Sequence, residues 1–196
     1  LRYLDCVSTN VILGHSNDVM TESVSKQMSL LTTNVGLLHE NTLALARKLV
    51  ATLPSSLTAC FLVNSANEAN DLALNIALCA TGSDEIIALD RGDYGKSLAC
   101  MRLSRERSFL YGKSRNIHMI PCPDSYRGKY RDVDFPRDDI GWMYSSDVKD
   151  CVSRITSEGK RLGAFISETI MHHAGHVILP KRFLQEVYHA VKNNNG

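Results

Sequence analysis

The chain has 196 residues, of which 44% are hydrophobic and 22% charged, and 22 basic against 21 acidic side chains leave a formal net charge of +1. This is the balance of a folded globular protein, and it excludes the low-hydrophobicity, high-charge composition of intrinsic disorder. There is no basic excess of the kind that marks nucleic-acid or anionic-membrane binding, and no run approaches the roughly 18 apolar residues of a membrane helix.

Residues 2–7 alternate weakly and predict a short opening strand. Gly14-His15-Ser16-Asn17-Asp18 is turn chemistry, with Asn17 or Asp18 placed to cap a helix on which Val19, Met20, Val24, Met28 and Leu31 recur near a 3.6 period. A second helix is predicted from Asn41 or Thr42, and Pro54 stops it. Residues 59–63 form a continuous apolar run suited to a strand buried on both faces. A helix follows over 67–80, ended by Thr81-Gly82. Further buried strands are predicted at 85–89, 116–120 and 162–166, with helices at 145–157 and from Phe183 to Val191. Residues 121–141 read as a long functional or interface loop. Buried strands alternating with helices predict an α/β fold with a mainly parallel sheet.

Six cysteines, at 6, 60, 79, 100, 122 and 151, form no C-x-x-C pair and lie mostly in apolar stretches. They are expected to be reduced and core-packed, which points to an intracellular compartment. The opening residues match neither a signal nor a transit peptide, so the chain is expected to start inside a longer protein.

The strongest local motif spans Val63 to Asp71, where a predicted strand gives way to a helix. Ser65 and Glu68 have capping-box spacing, with Ser65 accepting from the residue 68 amide and Glu68 reaching back to the Ser65 amide. The first-turn amides and the helix dipole favour an anion there, typically a phosphate, although an ordinary capped helix without a ligand has the same spacing. Gly95-Lys96-Ser97 has the end of a P-loop, but Asp90 occupies the position of its first glycine and would repel a triphosphate. His172, His173 and His176 cluster without a nearby Cys or Asp to complete a ligand set, so no metal is assigned. Glu168 ends a predicted strand on the same edge as Ser65, either orienting a ligand or acting as a capping carboxylate. There is no G-x-S-x-G nucleophile elbow and no G-x-G-x-x-G.

The segment from Asn64 to Leu74 resembles the N-S-G-S/T-E-A-N-D-L-A-L stretch of class III pyridoxal-phosphate (PLP) aminotransferases. Within that family it looks like the branch of ethanolamine-phosphate and 5-phosphohydroxy-lysine phospho-lyases, relatives of the alanine–glyoxylate aminotransferases. Further matches run in order along the chain: Gly14-His15, Leu38-His39-Glu40-Asn41, and Pro123-Asp124-Ser125-Tyr126-Arg127-Gly128 with Tyr130-Arg131. The resemblance implies a fold-type I PLP-transferase major domain, with residues 1–57 as a helical lead-in and 58–196 as β/α units. It implies PLP as cofactor, an amine or phospho-amine substrate turned over by transamination or phosphate elimination, a homodimer, and a lean towards mitochondria. Ser65, Ala66 and Asn67 would hold the PLP phosphate, Tyr94 would cover the ring, and Glu168 would support the site.

The departures from the pattern shape the expectation. Ala66 replaces the phosphate-loop glycine and is expected to penalise a positive φ, and Asn67 replaces a Ser or Thr donor. Asp93 and Tyr94 stand where the family has its stacking aromatic and a His, so Tyr94 reaches the ring only if the loop shifts by one residue. Ala174-Gly175-His176 takes the place of a Gly-Gly-Gln-like stretch. The family's pyridine-pairing Asp and Schiff-base Lys are expected beyond Gly196. The chain therefore reads as a partial, diverged member with no catalytic residue of its own, inactive alone and exposing a sheet edge. A non-catalytic homologue that dimerises with or regulates an active paralogue, and a generic phosphate-binding α/β domain, are the alternatives.

Overall fold

A computed structural model describes residues 1–8, 11–104, 114–194 and 196. The chain divides into two compact units, Leu1–Phe61 and Leu62–Gly196. The first carries α1 (Asp18–Leu30) and α2 (Glu40–Val50). Asn17 caps α1, its side chain accepting from the Met20 amide at 3.1 Å. α2 starts slightly earlier than predicted, with the His39 ring accepting from the Asn41 amide. Neither helix has a buried residue. The expected strand at residues 2–7 is absent; the Asp5 carboxylate instead accepts from the Val7 and Ser8 amides and so turns the chain.

The apolar run at residues 59–63 is likewise not a strand, and Phe61, Leu62 and Val63 are exposed. Apolar content favours a buried strand only if a neighbour takes the ladder hydrogen bonds, and among the described residues no strand pairs with this one.

The second unit is α/β. Its elements in order are α3 (Ala66–Thr81), β1 (Glu85–Leu89), α4 (Leu98–Arg102), β2 (Ile117–Ile120), α5 (Arg137–Ser157), β3 (Leu162–Ile166), β4 (Ile170–Met171), β5 (Val177–Ile178) and α6 (Phe183–Asn193). β1 lies between β2 and β3 and runs parallel to both, with Ile87 opposite His118 on one side and Phe165 on the other. Every residue of β1 is buried: the apolar run from Ile86 to Leu89 predicts this for four of them, and Glu85 is buried with charged partners. The strand's side chains alternate between two cores. Ile86 and Ala88 pack with Leu74, Cys100 and Leu103, while Ile87 and Leu89 pack with Tyr144, Val148, Val152 and Phe183. β4 and β5 form a separate antiparallel hairpin.

α5 begins at Arg137, two turns before the predicted start, so the long connection after β2 is shorter than expected. Pro136 precedes its first turn and Asp138 and Asp139 favour its N-terminal dipole. Ile140, Tyr144, Val148, Cys151 and Ile155 then line its buried face. All six cysteines are free thiols, but Cys6 and Cys79 are exposed, which narrows the expected core packing to Cys100, Cys122 and Cys151.

At the amino edge of the sheet, Glu85 is buried and meets His118 Nε2 at 2.5 Å and Lys160 Nζ at 2.9 Å. Burial alone would raise its pKa, but His118 and Lys160 together outweigh it and the carboxyl is held below its ordinary value. A depressed carboxylate contributes stability above its unfolded pKa and loses it as pH falls through the folded one. Glu85→Gln is therefore expected to cost about 2 kcal/mol at neutral pH, and to flatten the loss of stability below about pH 4.3. Urea denaturation across that range checks both.

Candidate functional site

Parallel pairing brings the ends of β1, β2 and β3 to one edge, at Leu89, Ile120 and Ile166. Ligands of open parallel sheets bind at this carboxyl edge. α3 opens with Ser65 in extended conformation, its Oγ accepting from the Glu68 amide at 3.2 Å. The Glu68 carboxylate reaches one residue further back than a capping box requires and accepts from the Asn64 amide at 2.8 Å. Ser65 carbonyl takes the Ala69 amide. Among the described residues, no hydrogen bond within the chain takes up the Ala66 and Asn67 amides. Both therefore remain as donors at the positive end of the helix dipole. Ala66 is the first residue of α3 and does not have a positive φ, so the expected strain of an alanine there is absent.

The loop after β1 is stitched to the first turn of α3. Asn67 Oδ1 accepts from the Lys96 amide at 3.0 Å, and the Asn70 side chain donates to the Tyr94 carbonyl at 2.8 Å. On its other side the same loop is held by Glu168. That carboxylate accepts from the Asp93 amide at 2.8 Å through one oxygen and from the His172 amide at 3.0 Å through the other. Asp93 in turn accepts from the Gly95 amide at 3.1 Å and meets His173 Nε2 at 2.9 Å. Ser65, Ala66, Asn67 and Glu168 are thus joined through residues 93–96.

Tyr94 departs from its expected place. Its ring is 2% exposed and belongs to the core beneath the loop. Its hydroxyl accepts from the Leu89 amide and lies within hydrogen-bond reach of the Leu89 and Ile166 carbonyls, at 2.9 and 3.3 Å. Burial, above all, pushes its phenol pKa well up, with Glu168 adding to the effect. Tyr94 fastens the ends of β1 and β3 together instead of presenting a face to a ligand. Gly95-Lys96-Ser97 also finds a structural use: Ser97 caps α4, accepting from the Cys100 amide and donating to Asp71 at 2.6 Å.

The Asp124–Tyr130 string builds the neighbouring wall. Asp124 is buried, which would raise its pKa. The Arg127 and Tyr126 amides and the Arg127 guanidinium outweigh burial and hold it low. The Tyr144 hydroxyl donates to the Asp124 carbonyl and accepts from the Tyr130 amide, both at 3.0 Å. A Cβ on Gly128 would fall on that hydroxyl, so the glycine is required by close approach. Arg127 then donates to the Ala174 carbonyl at 2.9 Å and braces the β4–β5 hairpin. His172, His173 and His176 are exposed on this hairpin, with the His172 and His176 ring centres 4.4 Å apart. Among the described residues no group of three or more His, Cys, Asp or Glu has metal-binding geometry.

The profile of the Aminotransferase class-III family matches residues 1–196. The chain belongs to that family. This class III chain is 33% identical over 198 residues to an alanine–glyoxylate aminotransferase 2-like protein of Drosophila melanogaster, covering all of itself and 40% of that protein. It is 32% identical over 205 residues to ethanolamine-phosphate phospho-lyase homolog 1 of Caenorhabditis elegans, covering 44% of it. An Arthrobacter phospholyase solved in complex with phosphoethanolamine superposes with a TM-score of 0.79 at 22% identity, over 93% of this chain and 42% of that one. An omega transaminase from Pseudomonas jessenii in complex with PMP gives 0.77 at 22% identity, over 94% and 43%. The class III chain therefore has the fold-type I architecture and spans about two fifths of the length of these relatives.

Membership implies PLP as the cofactor. The residues present fit its phosphate: two unengaged first-turn amides, a capped N-terminus and an exposed Ala66 in helical conformation. The sequence signal for this end was direct. The Asp93–His173 pair had no sequence signal beyond the histidine cluster, because the two residues lie 80 positions apart and meet only when the loop and the hairpin fold to one edge.

Removing the Ser65 hydroxyl leaves a further amide without an acceptor. Ser65→Ala is expected to destabilise the protein by about 1 kcal/mol, read by chemical denaturation, with faster amide exchange confined to the first turn of α3.

Proposed function

We propose that the chain supplies the phosphate-holding part of a PLP site in a transaminase or phospho-lyase acting on an amine or phospho-amine. The observation that carries the reading is the pair of unengaged amides at Ala66 and Asn67, at the carboxyl edge of a parallel sheet. When bound, PLP supplies an electron sink for cleavage of a bond next to the substrate's amino nitrogen. This chain's own part is binding and orientation. The Ala66 and Asn67 amides take phosphate oxygens, Ser65 fixes the helix end that presents them, and Glu168 holds the 93–96 loop beside them. Tyr94 supports that loop from below.

PLP is expected to bind with inorganic phosphate as a competitor, and Ala66→Pro, which removes one donor, is expected to weaken it about tenfold. Equilibrium titration monitored by PLP absorbance checks this; binding that phosphate does not displace would move the cofactor elsewhere. A second reading is a non-catalytic homologue, favoured by Asp93, whose carboxylate is paired with His173 where a stacking aromatic would stand. Borohydride reduction of the PLP-treated product of the whole gene separates the two: a lysine adduct with turnover supports the enzyme, and a whole product that forms none supports the non-catalytic homologue.

The reading includes a homodimer. Met20, Val24, Met28 and Leu31 fall on one face of α1 and its end and are 40–59% exposed, an apolar stripe of the kind that seeks a partner. Sedimentation velocity is expected to show a dimer that Val24→Glu dissociates; a monomer for both proteins would remove dimerisation from the reading.

A further inference from the structure

The helix dipole behind the two unengaged amides of α3 amounts to about half a positive charge, whereas a phosphate monoester carries about −1.5 to −2 at neutral pH. The segment that forms this helix end, Asn64 to Asp71, has no basic residue and contains Glu68 and Asp71. A balancing charge from the protein has to come from another element. We propose that Lys96 is a binding residue for the phosphate at the start of α3 and supplies that charge. The inference rests on the phosphate reading given above.

The loop after β1 brings Lys96 to the helix. Asn67, in the first turn of α3, accepts from the Lys96 amide at 3.0 Å through Oδ1. Gly95 approaches so closely that a Cβ there would fall 2.5 Å from the same oxygen, and its φ of +117° is one that side chains rarely adopt. On one side of this contact the Asn70 side chain donates to the Tyr94 carbonyl, and on the other Ser97 donates to Asp71. The backbone of Lys96 is therefore held against the helix end from both directions. Its side chain is exposed, and among the described residues its ammonium has no hydrogen bond or ion pair. The nearby acids already have partners: Ser97 and Cys100 donate to Asp71, and the Asn64 amide donates to Glu68. Arg91, the other cation of the loop, lies at its far end, and none of these contacts ties it to α3. An ammonium on a flexible four-carbon stem can turn towards a phosphate here without giving up a partner.

The test takes the product of the whole gene, freed of cofactor, and titrates it with PLP and with pyridoxal, which lacks the phosphate. Lys96→Gln is expected to weaken PLP about fivefold and to leave pyridoxal unchanged, while Lys96→Arg keeps most of the affinity. The difference between wild type and Lys96→Gln is expected to shrink as sodium chloride rises from about 0.05 M to about 0.5 M. Unchanged PLP affinity in Lys96→Gln overturns the proposal. Equal weakening of PLP and pyridoxal also overturns it, because the effect then lies in the folding of the loop and not in the phosphate. Competition by inorganic phosphate separates the proposal from the reading beneath it. Phosphate that displaces PLP from Lys96→Gln with the wild-type inhibition constant overturns the role of Lys96 and leaves the phosphate site standing. Phosphate that does not displace PLP from the wild type overturns the phosphate reading and the proposal with it.

Discussion

The site depends on β1 being hydrogen-bonded on both sides by parallel neighbours. Two parallel ladders fix three strand ends on one edge, and only then do loops that are distant in sequence meet. Because β1 is buried on both faces, its register cannot slip by one residue without exchanging Ile86 and Ala88 for Ile87 and Leu89 between two different cores. The position of the loop that follows Leu89 is set by that packing before any polar contact forms.

Around this edge, carboxylates act mainly as acceptors for loop amides. Glu168 serves two separate segments, Asp124 serves the turn that follows it, Glu68 reaches back to Asn64, and Asp93 bridges to Gly95. Irregular backbone near a core needs such partners, because an unpaired amide there carries a desolvation cost. The arrangement explains how polar loops lie close to a buried sheet with their backbone groups satisfied. It also gives Glu168 a role in shaping the edge that does not require it to touch a ligand.

Much of this was legible in the sequence, and the exceptions have definite causes. Unbroken apolar runs identified β1 and β3, and Ser65 with Gly82 bounded α3, because these signals are local. The runs at residues 2–7 and 59–63 failed as strands, since pairing needs a neighbour that composition cannot supply. The Tyr-Arg-Gly string looked like a functional loop but is largely scaffold, with Tyr144 reaching in from α5 to tie Asp124 to Tyr130. Tyr94 followed the same logic in reverse: aligned with a ligand-facing position, its ring found better burial under the loop. The Asp93–His173 contact was invisible because no local pattern relates a strand-end loop to a hairpin so far along the chain.

The division of the cysteines has a practical consequence. Cys6 and Cys79 face solvent, whereas Cys100 and Cys122 are buried in opposite cores of the sheet with thiols pushed up to about 11. Alkylating reagents attack thiolates, so labelling in native conditions should stop at the exposed sites. Modification of Cys100 and Cys122 would then register opening of the α3 side and the α5 side of the sheet separately. With Cys151, also buried on the α5 side, the protein thus carries three native reporters, and the mass of the peptide that bears each adduct gives the order in which its layers come apart.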